Sequence, residues 1–201
     1  MEAVAEYRSA LAQARQTLVR GLREHALVPG EVTLASGATA QYYVDARRAI
    51  LLPDVFAALG MLVAEHVHAR GARAVGGVPV SAIPVACSAL AAPRPPASVF
   101  IVRRERKAHG LQRWIEGPAL GAGERCVVAE DVVTTGGSTL QAVERVRAEG
   151  LSVVGVVSVL DRLAGGAEAI QAALGDDGAY LALTTIDDVY PDRPDRSLAR
   201  E

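Results

Sequence analysis

The sequence predicts an α/β fold, a parallel twisted sheet flanked by helices. Three observations lead there. From about residue 73 onward, short apolar runs alternate with segments of helical period. The runs are apolar on both faces, as strands covered from both sides must be. Of the 201 residues, 50% are hydrophobic, enough for one sizeable core.

Taken in order, residues 2–26 carry a helical stripe through Val4, Leu11, Ala14, Leu18 and Leu22. "LVPGEVTLASG" interrupts it, with Pro29-Gly30 reading as a turn and Val32–Leu34 as a short strand. "QYYVDARRAIL" reads as a second extended piece. Asp54, after Pro53, opens a helix to about Arg70 that Gly71 closes. The alternation follows: strand "RAVGGV", helix "SAIPVACSALAA", strand "ASVFIVRRE", strand "RCVVAED", helix "GSTLQAVERVRAEG", strand "LSVVGVVSVLDR". A helix around 166–174 and a last strand near "YLALTTI" complete it. "YPDRPDRSLARE", polar and broken by proline, reads as a loose tail.

Several classes of protein are disfavoured. Mean hydropathy is +0.20, yet no apolar run approaches the roughly 18–20 residues of a spanning helix. The first residues are acidic and charge-interrupted, unlike a signal peptide, so a cytoplasmic protein is expected. A formal net charge of -2 argues against nucleic acid as the main partner. Cys87 and Cys126 lie in apolar stretches without paired spacing and read as buried free thiols. His66 and His68, two apart on a helix, point to different sides and do not make a metal pair. Trp114 is a single aromatic in a basic stretch, a weak basis for base stacking.

Two segments carry chemistry. In "VVAEDVVTTGGST" (127–139), a buried strand ends in Glu130 and Asp131, then gives hydroxyls and two glycines before a helix. A helix N-terminus offers unpaired N–H groups and a positive dipole end, which attract phosphate. Gly136 and Gly137 let the backbone curl around an anion, while Thr134, Thr135, Ser138 and Thr139 add neutral donors. Two carboxylates beside them suit vicinal ribose hydroxyls. No G-x-x-x-x-G-K-[ST] occurs, and "GAGE" at 121–124 precedes its strand, so neither a P-loop nor a dinucleotide fingerprint is present. The second segment, 103–117, gathers Arg103, Arg104, Arg106, Lys107 and Arg113 with His109 and breaks the alternation. A loop of that length in a compact domain is usually functional or mobile.

Residues 127–139 resemble the phosphoribosyl diphosphate (PRPP) motif of type I phosphoribosyltransferases, and "EDVVTTGGS" is similar to the form in orotate phosphoribosyltransferases. "LASGATAQYYVDARRA" (34–49), "VRRERKAHGLQRWIEG" (102–117) and "VLDRLAGGAEAI" (159–170) resemble that family's substrate segment, catalytic loop and base-binding strand end. The resemblance implies the type I phosphoribosyltransferase fold with a small hood. Residues 1–50 would form the N-terminal helix and hood segment, 51–190 the core with loop 103–117, and 191–201 a polar tail. It implies transfer of the phosphoribosyl group of PRPP to orotate, giving orotidine 5′-monophosphate and diphosphate in pyrimidine (UMP) synthesis.

By the same resemblance, PRPP would meet Arg103, Arg104, Lys107 and His109 of the loop. It would also meet Glu130, Asp131, Val132, Val133, Thr134, Thr135, Gly136, Gly137 and Ser138. Lys107, Arg103, His109 and Asp131 would act in catalysis. Thr134, Arg162 and Tyr43 would contact orotate, and backbone at Val80–Ser81 the diphosphate. The cofactor would be Mg²⁺, held mainly by PRPP near Glu130 and Asp131 and not directly by the protein. A homodimer with shared active sites is expected, with neither nucleic acid nor membrane as partner. The sequence departs from the family at Ala35 and Ser81, where some members carry lysine, and at Arg104, a position that is often lysine. Arg47, Arg48 or Arg106 are the candidate replacements. Two alternatives stay open: another base, purine or uracil, or a PRPP-sensing regulator without catalysis.

Overall fold

The computed structural model describes residues 1–33, 39–93, 97–106 and 113–196. In chain order its elements are α1 (Glu2–Gly21), β1 (Leu27–Thr33), β2 (Thr39–Val44), α2 (Arg47–Ile50), α3 (Pro53–Ala69), β3 (Ala74–Gly77) and α4 (Ala82–Ser88). Then follow β4 (Ser98–Val102), β5 (Ile115–Glu116), β6 (Arg125–Val133), α5 (Gly137–Ala148), β7 (Ser152–Asp161), α6 (Gly166–Leu174), β8 (Ala179–Thr185) and α7 (Ile186–Val189).

The α/β expectation holds. Six strands lie in the order β5-β4-β3-β6-β7-β8, every pair parallel except β5 on β4. Alternation along β6 explains the two layers. Cys126 and Val128 enter one core with Val143 and Val146 of α5 and Ile170 of α6. Val127 and Ala129 enter the other with Leu59 and Val63 of α3 and Val85 of α4. Ala14 and Leu18 on α1, and Leu22 in the π-helical turn Leu22–Ala26 that continues it, are buried in i, i+4 steps, whereas Val4 at the start of the expected stripe is exposed and Leu11 half-buried. A fully buried leucine such as Leu18 is worth about 2–5 kcal/mol against alanine. Both cysteines are free; burial pushes the Cys126 thiol up to about 12, leaving it inert. His66 is buried, its pKa pushed down to about 4 by burial and then by Arg70, whereas His68 is exposed. No described helix is long and apolar enough to cross a membrane.

Three local expectations give way. Pro29 and Gly30 lie within β1, and the register against β2 shifts between Pro29 and Val32. The β1–β2 ribbon has only two strands, so an edge bulge accommodates a proline that cannot donate. The extended piece at 41–51 stops at Val44, and Arg47–Ile50 form a single helical turn that buries Ala49 and Ile50. The polar residues after Tyr190 are docked where described: Arg193 is buried and paired with Asp187 and, at 3.1 Å, with Asp195.

Connections place a crevice. From β3 the chain passes to β4 on one side, whereas β6, β7 and β8 extend the sheet on the other. The crevice above the C-terminal ends of β3 and β6 is therefore a topological switch point, where open α/β sheets bind ligands.

Candidate active site

Residues 134–138 sit on the β6 side of that crevice. Gly136 precedes α5 with φ +80°, a left-handed conformation that favours glycine. A Cβ on Gly137 would meet nothing within 4 Å, so the start of α5 faces open space. Thr134, Thr135 and Ser138 are exposed, as an anion site requires. The loop is buttressed from behind. Gly166 donates its N–H to the Thr134 carbonyl at 3.1 Å. A Cβ on Gly166 would lie 2.5 Å from Val133 and 2.6 Å from the Thr134 oxygen.

The two acids differ. Glu130 is 7% exposed. Its Oε2 accepts hydrogen bonds from Ser138 Oγ at 2.9 Å and Thr139 Oγ1 at 3.2 Å. Its pKa is pushed up to about 7, first by burial, then by the Asp131 charge and hydrogen bond, against the pull of Ser138. Glu130 thus ties the end of β6 to the first turn of α5, while Asp131 remains half-exposed. Among the described residues no group of three His, Cys, Asp or Glu side chains could hold a metal ion.

Across the crevice, β4 delivers the basic segment. Arg104 Nε donates to the Pro79 carbonyl at 3.1 Å, in the β3–α4 loop that holds Val80 and Ser81. Arg103 pairs with Glu116, and its N–H donates to the Trp114 carbonyl at 2.8 Å. Sequence reading missed what anchors this base. The Arg145 guanidinium lies 5.1 Å over the Trp114 ring and donates to the Arg103 carbonyl at 3.2 Å, while Trp114 N–H donates to Glu149 at 2.7 Å. Lys107, His109 and Ala35 lie outside the described residues.

The third wall follows β7. Asp161 is buried. It accepts from Leu163 N–H at 2.7 Å and Tyr180 hydroxyl at 3.0 Å, stabilising Leu163 at φ +57°. Arg162 is therefore not the partner of Asp161. Its guanidinium lies 4.8 Å over the ring of Tyr42. Tyr42 is 2% exposed, whereas Tyr43 beside it is 37% exposed. The two alternate along β2, so Tyr43 points away from the contact that Tyr42 makes. Arg47 Nε pairs with Asp45 at 2.8 Å. Its pKa is raised first by that hydrogen bond and the Asp45 charge, and further by the charges of Tyr43 and Asp131.

A doubly covered parallel sheet with hydroxyls, glycines and acids at its switch point defines the phosphoribosyltransferase class. The family described as "Phosphoribosyl transferase domain" matches residues 55–173. An orotate phosphoribosyltransferase of Corynebacterium glutamicum is 45% identical over 161 residues, 80% of this chain and 87% of its own length. That of Mycobacterium tuberculosis is 46% identical over 158 residues, 79% of this chain and 88% of its own length. The crystal structure of the Mycobacterium tuberculosis H37Rv enzyme in complex with PRPP is similar with a TM-score of 0.73 and 37% identity, covering 88% of this chain and 98% of that one. The chain belongs to the orotate phosphoribosyltransferase family.

Proposed function

We propose that this chain is the enzyme that transfers the phosphoribosyl group of PRPP to orotate, releasing diphosphate and forming orotidine 5′-monophosphate in pyrimidine synthesis. The observation that carries this reading is the pairing of the 134–138 loop with Arg162 on adjacent strand ends. The loop suits a 5-phosphate and Arg162 suits the planar acidic base.

Breaking the bond between the anomeric carbon and the diphosphate leaves positive charge on the ribose and negative charge on the departing oxygens. Positioning and charge stabilisation then supply most of the rate. Residues 134–138 hold the 5-phosphate with backbone N–H groups and hydroxyls. Asp131 accepts from the ribose hydroxyls, and Glu130 keeps Ser138 and Thr139 in place. Arg103 and Arg104, with Lys107 and His109, meet the diphosphate, and backbone at Val80–Ser81 meets it from below. Thr134 contacts the base beside Arg162, and Tyr43, on the opposite face of β2 from the Tyr42–Arg162 contact, meets it from another side. Mg²⁺ would be carried in on the diphosphate, with the open carboxylate of Asp131 beside it, and would offset the leaving-group charge. A homodimer sharing its active sites completes the reading; sedimentation of a fully active monomer would contradict that part.

The decisive experiment mixes protein, PRPP, Mg²⁺ and orotate and follows the loss of orotate absorbance. Turnover with orotate, and not with uracil or purines, is expected. Turnover with another base alone, or PRPP binding without turnover on any base, would overturn the reading.

A further inference from the structure

Arg162 is a long side chain on a loop, and Asp161, its nearest acid in sequence, is already engaged with Leu163 and Tyr180. Its orientation must come from elsewhere. We propose that Tyr42 is a positioning residue for the base site, and that the C-terminal segment 190–196 locks Tyr42 so that its ring holds the Arg162 guanidinium toward the crevice. The proposal rests on the orotate reading given above.

The chain of contacts is continuous. The Tyr42 hydroxyl donates to Asp195, 3.1 Å from Oδ2. Asp195 is held at 3.1 Å by Arg193, which also pairs with Asp187 at the start of α7. Tyr190 meets the Tyr42 ring edge-on, with centroids 5.3 Å apart. Tyr42 is thereby fixed at both its hydroxyl and its ring edge, leaving one face for Arg162 at 4.8 Å. An arginine held over a ring face keeps N–H groups available for a further partner. A carboxylate partner would occupy those donors and compete with an acidic base. An aromatic platform holds the cation without neutralising it, which suits a group that must receive a carboxylate or ring oxygens. Burial raises the Tyr42 pKa, so the hydroxyl stays a donor to Asp195 throughout the working range.

Steady-state kinetics on Tyr42→Leu, Tyr42→Phe and Asp195→Asn test this. Tyr42→Leu should raise KM for orotate about thirtyfold, the size of a desolvated cation–π contact read as affinity. KM for PRPP should stay within about twofold. Tyr42→Phe keeps the ring and should recover most of the loss. Asp195→Asn, which reaches Tyr42 only through its hydroxyl, should raise orotate KM about as much as Tyr42→Phe and serves if Tyr42→Leu fails to fold. Equal loss for both substrates with Phe no better than Leu, or an unchanged orotate KM in Tyr42→Leu and Asp195→Asn, would overturn the proposal. Failure of the orotate reading itself looks different: the wild-type protein would then show no turnover with orotate, whatever Tyr42 does.

Discussion

Along residues 134–138 the groups that face the crevice belong to the backbone and to short hydroxyl side chains, held between the end of β6 and the start of α5. Around Arg162 the groups are long side chains drawn from β2, the β7–α6 loop and the segment after α7. The first half is shaped by the fold before any ligand arrives. The second is assembled by stacking and hydrogen bonds between distant segments. Defects in the first half should therefore appear as lost stability and lost phosphate binding together, and defects in the second as lost base affinity in a folded protein.

The largest effect is expected at the buttress. Gly166→Val would drive methyl groups into Val133 and the Thr134 carbonyl, already 2.5 and 2.6 Å from a Cβ. It should cost about 3 kcal/mol of stability in a urea titration and weaken PRPP binding. A variant as stable as wild type would separate the loop from its support and break the contrast.

Glu130 comes next. Its folded pKa, about 7, stands above its ordinary 4.5, so the folded state holds that proton more tightly than the unfolded one. The resulting stability is fully present below about pH 4.5 and is lost as pH rises through about 7. Relative to Glu130→Gln, wild type should lose on the order of 2–3 kcal/mol across that window. Urea midpoints of both proteins at pH 4.5 and 8 measure it. A stability difference that does not change with pH would contradict the assignment.

The smallest effect belongs to the loop base. Arg145→Ala removes the guanidinium over Trp114 and the bond to the Arg103 carbonyl. A contact of about 0.5–1 kcal/mol corresponds to a turnover about two- to fivefold lower. Thermal unfolding should move little. A variant that unfolds would make Arg145 part of the core, and one with full turnover would detach Trp114 from the loop.

The contrast also explains what the sequence made legible. The phosphate loop could be read because its parts are contiguous: Glu130 to Thr139 is one strand end, one turn and one helix start. Arg162 was found by resemblance, but its environment was not. Tyr42 and Asp195 are 153 positions apart, and no local pattern links them. The adjacent tyrosines 42 and 43 differ only in which face of β2 they occupy, and β2 follows residues whose pattern gave no fixed register. The segment after Tyr190 looked like a tail because proline and charge signal exposure. Its burial depends on Arg193 finding Asp187 and Asp195 together. Gly166 was legible as a helix start but not as a buttress, because its close contact crosses between the β7–α6 and β6–α5 loops.

Steady-state kinetics of Arg162→Ala, with PRPP and orotate varied in turn, test the division of the crevice most directly. KM for orotate should rise about a hundredfold or more, as for a charged hydrogen-bonding partner removed from a binding site. KM for PRPP should stay within about twofold of wild type, and the unfolding midpoint should not move. An unchanged KM for orotate, or an equal rise in both constants, would contradict the assignment of the base to the stacked side chains and the sugar phosphate to the loop.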